Sequence, residues 1–365
     1  MNGLLVRRVI EGKKNIGDYI QSLAQEQFWD KTDLIVDREY LNELESPTGE
    51  KINVIMNNWW MWHPENFPPS EAVRPLFVSF HISPNIAETM LTPKSVEYLK
   101  RYEPIGARDT GTMEILDRFG ISNYFSACLT LTLGRIYKSD HHLPKVYFVD
   151  PEYSTFKPMA FFDWVKALWM LVRFNRTAGI LSKKFPYEKP TVFSKISKRL
   201  NKKICAIWFF RQYRQFFSDD ILRNAEYMAH MVAVDENTTN EMLLEYARSL
   251  VHKYAEAGLV VTSRIHAALP SLGLGTPVVF VSSQKIDSGK IKGRLGGLID
   301  LLNYRLLSSP EGLTVQSDDM KDLLKNGKIS LNTKMQNSDA YKKYRDSLGK
   351  TVETFVAAPD SYYSK

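Results

Sequence analysis

The residues best equipped for chemistry lie in the run Val260-Val261-Thr262-Ser263-Arg264-Ile265-His266, followed by Ala267-Ala268-Leu269-Pro270. The β-branched residues up to Thr262 read as a buried strand, and residues 267–272 as a short helix. Gly273 and Gly275 punctuate the turn to a further strand over 277–281. In an open parallel sheet, ligands bind beyond the carboxyl ends of the strands, which puts Thr262, Ser263, Arg264 and His266 beside a cleft. A helix beginning there offers unbonded backbone amides and the positive end of its dipole to an anion. The Arg264 guanidinium adds a planar fork for phosphate or carboxylate. An imidazole such as His266 moves protons near neutral pH. In an arbitrary chain, the commoner meaning of Arg-x-His is a structural ion pair beside a satisfied core histidine.

Other candidates are scattered. His81, in Val78-Ser79-Phe80-His81-Ile82-Ser83, follows a strand-like run and is placed either to activate a hydroxyl or to edge the core. Asn58-Trp59-Trp60-Met61-Trp62-His63 is rich in indole, whose face suits a sugar ring and equally an interior. Asp18 follows the tight turn Asn15-Ile16-Gly17 and is placed to cap a helix. Arg294 with Gly296-Gly297 either lines the cleft or starts a helix. Arg248 and His252, four apart, read as a solvated or interdomain helix face, and His141-His142 as exposed. No His, Asp or Cys group has metal-ligand spacing, so no metal and no cofactor are expected.

These side chains need a scaffold. Helical periodicity appears over 18–28, 92–102, 110–119 and 241–257, and strand-like runs over 52–56, 76–80, 144–149 and 259–262. Alternation of strands with helices argues for parallel sheets covered on both faces. At 365 residues the chain suits two domains of about 150 residues each. The boundaries read as 1–155, an intervening segment 156–217, a second domain 218–340 and a helical tail 341–365.

The intervening segment has its own character. From Phe161 to Arg214 there are 13 Lys and Arg against Asp163 and Glu188, a net of +11 where the whole chain carries +7. Between Phe161 and Phe217 stand 14 of the chain's 44 aromatics. Such interleaving suits an ordinary core helix with a linker, or a membrane-surface element meeting anionic headgroups, with Lys198-Arg199 and Lys202-Lys203 its sharpest part. Nucleic acid ranks last, because no recognised motif accompanies it. Cys128 and Cys205 fit no disulfide or metal pattern, which favours a reducing cytosol. Met1 to Gly12 lacks a signal-peptide core, and no apolar run reaches roughly 18 residues. A cytoplasmic protein, soluble or peripheral on the inner membrane face, is expected.

The run from Val260 to Pro270, with Gly273-Leu274-Gly275-Thr276-Pro277-Val278-Val279, resembles the polysaccharide pyruvyltransferase family. Asn15-Ile16-Gly17-Asp18, Pro104-Ile105-Gly106-Ala107-Arg108-Asp109 and Phe125-Ser126-Ala127-Cys128-Leu129-Thr130-Leu131-Thr132-Leu133 resemble further blocks of it, in the same order. The segment 156–217 carries no part of the resemblance. The likeness implies an α/β fold of two Rossmann-like domains facing a cleft, similar to GT-B glycosyltransferases. It implies phosphoenolpyruvate as co-substrate, a sugar acceptor bridged through two hydroxyls as a cyclic ketal, and release of phosphate. Arg264, Ser263, Ile265 and Arg108 would then hold the donor, with His266 as general acid and His81 acting on the acceptor. Asp18, Asn58 and Trp60 would lie on the acceptor side, and the basic aromatic segment points to a lipid-linked acceptor. The competing expectations are a nucleotide-sugar glycosyltransferase and a non-catalytic membrane-docking protein.

Overall fold

The computed structural model describes residues 1–58, 62–154, 165, 169–283 and 293–363. Strands β1 (Asn2–Val6), β3 (Leu34–Asp37), β4 (Ile52–Ile55) and β5 (Val73–Leu76) form a parallel sheet in the order β3-β1-β4-β5. A parallel bridge between Phe80 and Ala107 extends it to the short pair β6 (Ile105–Ala107) and β7 (Asn123–Phe125). The second sheet contains β8 (Val146–Val149), β9 (Glu226–Met228), β11 (Leu259–Thr262), β12 (Val278–Ser282), β13 (Tyr304–Ser309) and β14 (Gly312–Val315). Its order is β14-β13-β12-β11-β8-β9, parallel throughout except for the β13–β14 hairpin. The fold is thus mixed α/β with parallel sheets.

Both sheets share one topology. The first strand of each, β1 or β8, lies between its second and third, so the winding direction reverses beside it. Such a reversal opens a crevice at the carboxyl ends of the flanking strands. Strands β8, β11 and β12 are buried along their whole length, as strands covered on both faces must be. Tyr147, Val149 and Val260 face one core, shared with α1 (Ile16–Glu26) and α6 (Asn240–Glu256). Val146, Phe148, Val261 and Val279 face another, shared with α4 (Asn175–Lys184) and α5 (Lys198–Tyr213). An antiparallel pair of β2 (Gly12–Asn15) with β10 (Met231–Val234) ties the two halves together. The C-terminal helix α8 (Lys342–Ala357) returns to the first core through Leu348, Val352 and Phe355.

Local signals explain the helix starts. Thr92 caps α2 (Pro93–Lys100), with Pro93 at a first-turn position, and Asp109 caps α3 (Thr110–Arg118) through the Thr112 amide. Two local readings need correction. The cap of α1 is Asn15, whose Oδ1 accepts from the Gly17 amide, and Asp18 sits inside the first turn. The strand expected over 76–80 lies earlier, over Val73–Leu76, and Ser79, in the left-handed region at φ 55°, interrupts extended backbone farther on.

In the basic aromatic segment, the core-helix reading holds for its second half. Trp208, Phe209, Phe210, Tyr213, Phe216 and Phe217 are buried, and Phe209, Tyr213 and Phe217 pack edge-on against Phe148 of β8. An apolar sheet face must be covered, and here the aromatics of α5 do it. Phe161, Phe162 and Trp164 lie outside the described residues. No described helix is long and apolar enough to cross a membrane.

Candidate active site

The chain leaves β8 at Asp150, whose φ of 41° is strained for a residue with a Cβ. Its Oδ2 accepts from Arg264 Nε at 2.8 Å and from the His230 amide at 3.0 Å, and its carbonyl accepts from Ser263 Oγ at 2.5 Å. Asp150 and Arg264 follow β8 and β11, neighbours at the reversal point of the second sheet. Arg264 precedes α7 (Ile265–Leu274), whose first amides have no preceding turn to bond. The Ile265 side chain enters the core, so only its backbone can meet a ligand. Arg264 stays 42% exposed on its side chain, aligned by Asp150 but reachable.

The first sheet contributes a buried triplet. Arg108 Nε donates to Asp109 Oδ2 at 3.2 Å, and His81 Nδ1 lies 2.7 Å from the same oxygen. Burial alone would raise the Asp109 carboxyl, yet the His81 hydrogen bond and the Arg108 charge hold it at about 2. For His81, burial and then Arg108 outweigh Asp109, and its pKa falls to about 4. His81 is therefore neutral at pH 7. With its Nδ1 proton given to the carboxylate, its lone pair is on Nε2.

The two halves meet at glycines. A Cβ on Gly17 would stand 3.1 Å from His266 Cβ, and one on Gly111 only 2.6 Å from Gly293 Cα. The Thr110 amide donates to the Gly296 carbonyl at 3.1 Å. His266 is buried in this seam with Nε2 unbonded. Its pKa lies well below the ordinary value, through burial first and then Arg108, Arg294, His230 and His81. Arg294 has an exposed surface, yet the surrounding protein and then Arg108 lower its pKa, with Asp109 and Asp18 opposing. Arg108 and Arg294 thus act on His266 from separate segments, and Arg294 in turn feels the charges of both Arg108 and Arg264. Two buried nitrogens here lack hydrogen bonds, His266 Nε2 and His230 Nδ1, whereas Arg108 Nη2 pairs with Asp109 Oδ2 at 3.1 Å. Buried donors without partners beside clustered cations call for an anion.

His230 was not singled out in the sequence. Its Nε2 lies 2.8 Å from Tyr254 Oη, and burial lowers its pKa to about 4. If the tyrosine donates, only Nδ1–H is left unpaired; the opposite assignment strands two groups. The first is cheaper by one buried orphan, so His230 presents a neutral Nδ1–H donor. No residue spacing signals this, because Tyr254 is 24 residues away. Asp18 and Asn58 both contact a buried cation that the sequence did not mark, Arg38, at 3.4 and 3.2 Å. Trp60 lies outside the described residues. Arg248 bridges to Glu26 at 2.8 Å and His252 packs on Tyr137, both between elements and away from this cluster. Among the described residues, no three His, Cys, Asp or Glu side chains gather as a metal site.

The family model for polysaccharide pyruvyl transferase matches residues 15–285, about three quarters of the chain. The matched span includes Asp18, His81, Arg108, Asp150, His230, Arg264 and His266, and stops short of Arg294. None of the curated proteins matches the chain.

Proposed function

This chain belongs to the polysaccharide pyruvyl transferase family, and we propose that it transfers the enolpyruvyl group of phosphoenolpyruvate onto two hydroxyls of one sugar. Family membership makes it a transferase of polysaccharide biosynthesis. The observation that carries the donor is the grouping of Arg108 and Arg294 about His266, with Arg264 acting on Arg294, and the unbonded buried nitrogens of His266 and His230. A small anion with a phosphate at one end and a carboxylate at the other needs separate cationic centres, and the two halves supply them. The shared strand order of the sheets supports two Rossmann-like halves facing a cleft, in the manner of GT-B glycosyltransferases.

The chemistry follows from the charges. Arg108 and Arg294 help keep His266 neutral. A bound trianion offsets those cations and raises the imidazole pKa, so His266 takes up a proton with the donor. Passing that proton to the enol methylene gives a methyl group and an oxocarbenium-like carbon. One sugar hydroxyl adds there, the C–O bond to phosphate breaks, and the second hydroxyl closes the ketal. Each hydroxyl gives up one proton; His81 Nε2, neutral and held by Asp109, is the base for one of them, and the departing phosphate takes the other. The basic surface of the second half supports an acceptor still carried on a lipid at the cytoplasmic membrane face.

Two measurements test this. Phosphoenolpyruvate should raise the melting temperature where nucleotide sugars do not, since a ligand stabilises the state it binds. His266→Ala should lower acceptor-dependent phosphate release by about 10²–10⁴-fold. Stabilisation by a nucleotide sugar alone would move the protein to glycosyl transfer.

A further inference from the structure

We infer that the surface formed by Trp169, Val172, Arg173 and Arg176, with Arg211 and Arg214 beside them, seats this protein on an anionic phospholipid bilayer. The inference deepens the membrane-side reading of the acceptor above and gives it an address. That address is not the one the charge pattern suggested. Lys198 and Arg199 open α5, whereas Arg211 and Arg214 close it. At 1.5 Å per residue the two ends are about 20 Å apart.

Residues 169–173 are helical and lead into α4 with reversed amphipathicity. Met170 is buried with the second core, whereas Trp169 and Val172 are 62% and 82% exposed. Val165 is exposed as well. An indole and a valine on an outward face cost solubility unless a partner covers them. The cations around them identify that partner by charge. Trp169, Met170, Phe174, Arg211 and Arg214 line an apolar recess, and Arg173, Arg176, Arg214 and Arg223 line an adjoining groove in which, among the described residues, Asp219 is the one carboxylate. Asp219 pairs with Arg214 and Arg223. Among the described residues, Arg173 and Arg176 therefore face the groove without a carboxylate of their own there. Aromatic and aliphatic side chains beside arginines match the boundary between acyl chains and phosphate headgroups.

The location serves the reaction. Tyr213 Oη donates to the Glu152 carbonyl, and the Gln212 amide is bonded to Ser154 at both its oxygen and its nitrogen. Glu152 and Ser154 follow directly from Asp150, the residue that aligns Arg264. The last turn of α5, with Arg211 and Arg214, is thus tied to the strand end that forms the anion site. A membrane contacted here lies on the cleft side of the second sheet, where a lipid-carried sugar would arrive.

Vesicle flotation tests this with the full chain, comparing phosphatidylcholine vesicles with vesicles containing 30% phosphatidylglycerol. Wild type should float with the anionic vesicles and not with the neutral ones, and 10 mM inorganic phosphate should not displace it. Trp169→Ser/Val172→Ser and Arg173→Glu/Arg176→Glu should each lower the partition coefficient at least about tenfold. All four side chains are exposed, so melting temperature and phosphoenolpyruvate turnover on a soluble acceptor should stay at the wild-type level. Lys198→Glu/Arg199→Glu should float nearly as wild type does. The inference is overturned if wild type ignores anionic vesicles, if both surface variants float like wild type, or if free phosphate releases it. Any of these leaves donor binding, measured separately by thermal shift, to stand or fall by itself.

Discussion

Lowering the pH should destabilise this protein through buried histidines of the candidate site, and the amount can be worked out. His81 and His230 are held near a pKa of about 4, chiefly by burial, against an ordinary value of 6.5. Between those values the unfolded chain binds a proton at each position that the folded chain refuses, so stability falls as pH falls. Each histidine contributes a slope approaching about 1.4 kcal/mol per pH unit within that window. From pH 7.5 to 5 this comes to about 2 kcal/mol per histidine, or about 4 for the pair. His266 acts in the same direction. Asp109, held at about 2, begins to lose its contribution only below its ordinary value near 4, so the two effects separate. Urea titrations at half-unit pH steps measure the slope, and His81→Asn or His230→Asn should each flatten it by about one proton. A free energy of unfolding that stays level between pH 7 and 5, or variants as steep as wild type, would refute the claim that these histidines are buried neutral. Phosphoenolpyruvate should shift the fall to lower pH, because a bound trianion lets His266 accept its proton in the folded state.

Asp150→Asn keeps a residue that tolerates φ 41° but removes the carboxylate charge that aligns Arg264; at about 1.5–3 kcal/mol for a charged hydrogen bond, KM for phosphoenolpyruvate should rise about 10- to 100-fold in steady-state assays. Gly17→Ala gains about 1 kcal/mol in helix propensity and loses about 1–3 to overpacking against His266. The net loss is at most about 2 kcal/mol, so its melting temperature should fall by no more than a few degrees, while kcat falls more than tenfold. His230→Ala should weaken phosphoenolpyruvate binding in calorimetry by about tenfold, and His230→Asn, whose amide N–H can stand near the place of Nδ1–H, should recover most of it. Equal losses in the two variants would assign His230 to packing alone.

Much of the site was legible because strand ends and helix starts are local events. β-Branched Val260 and Val261, the turn at Ser263 and the glycines at 273 and 275 specify strand, loop and helix within some twenty residues. Arg264 and His266 could thus be placed at a strand end from spacing alone. Arg108 before Asp109 was visible for the same reason, since Asp109 caps the helix that follows. Charge and aromatic content likewise marked 161–217 as unusual. They could not say which aromatics would turn inward, because that depended on an apolar sheet face contributed by Phe148 and Val261.

What only the tertiary structure decided is everything that depends on two distant segments touching. Asp150 is 114 residues from Arg264, and the reversal of strand order between β8 and β11 makes them neighbours. Arg294 becomes a third cation at the site because its loop packs on Gly111, and His230 becomes a donor because Tyr254 fixes its tautomer. Asp18 and Asn58 gain a shared task only through Arg38, buried between them. The sequence by itself determined which side chains could serve an anion and on which kind of element each would sit. Their number, their protonation and their common focus were settled by folding, because desolvation and charge–charge energies depend on distances that the chain order does not contain.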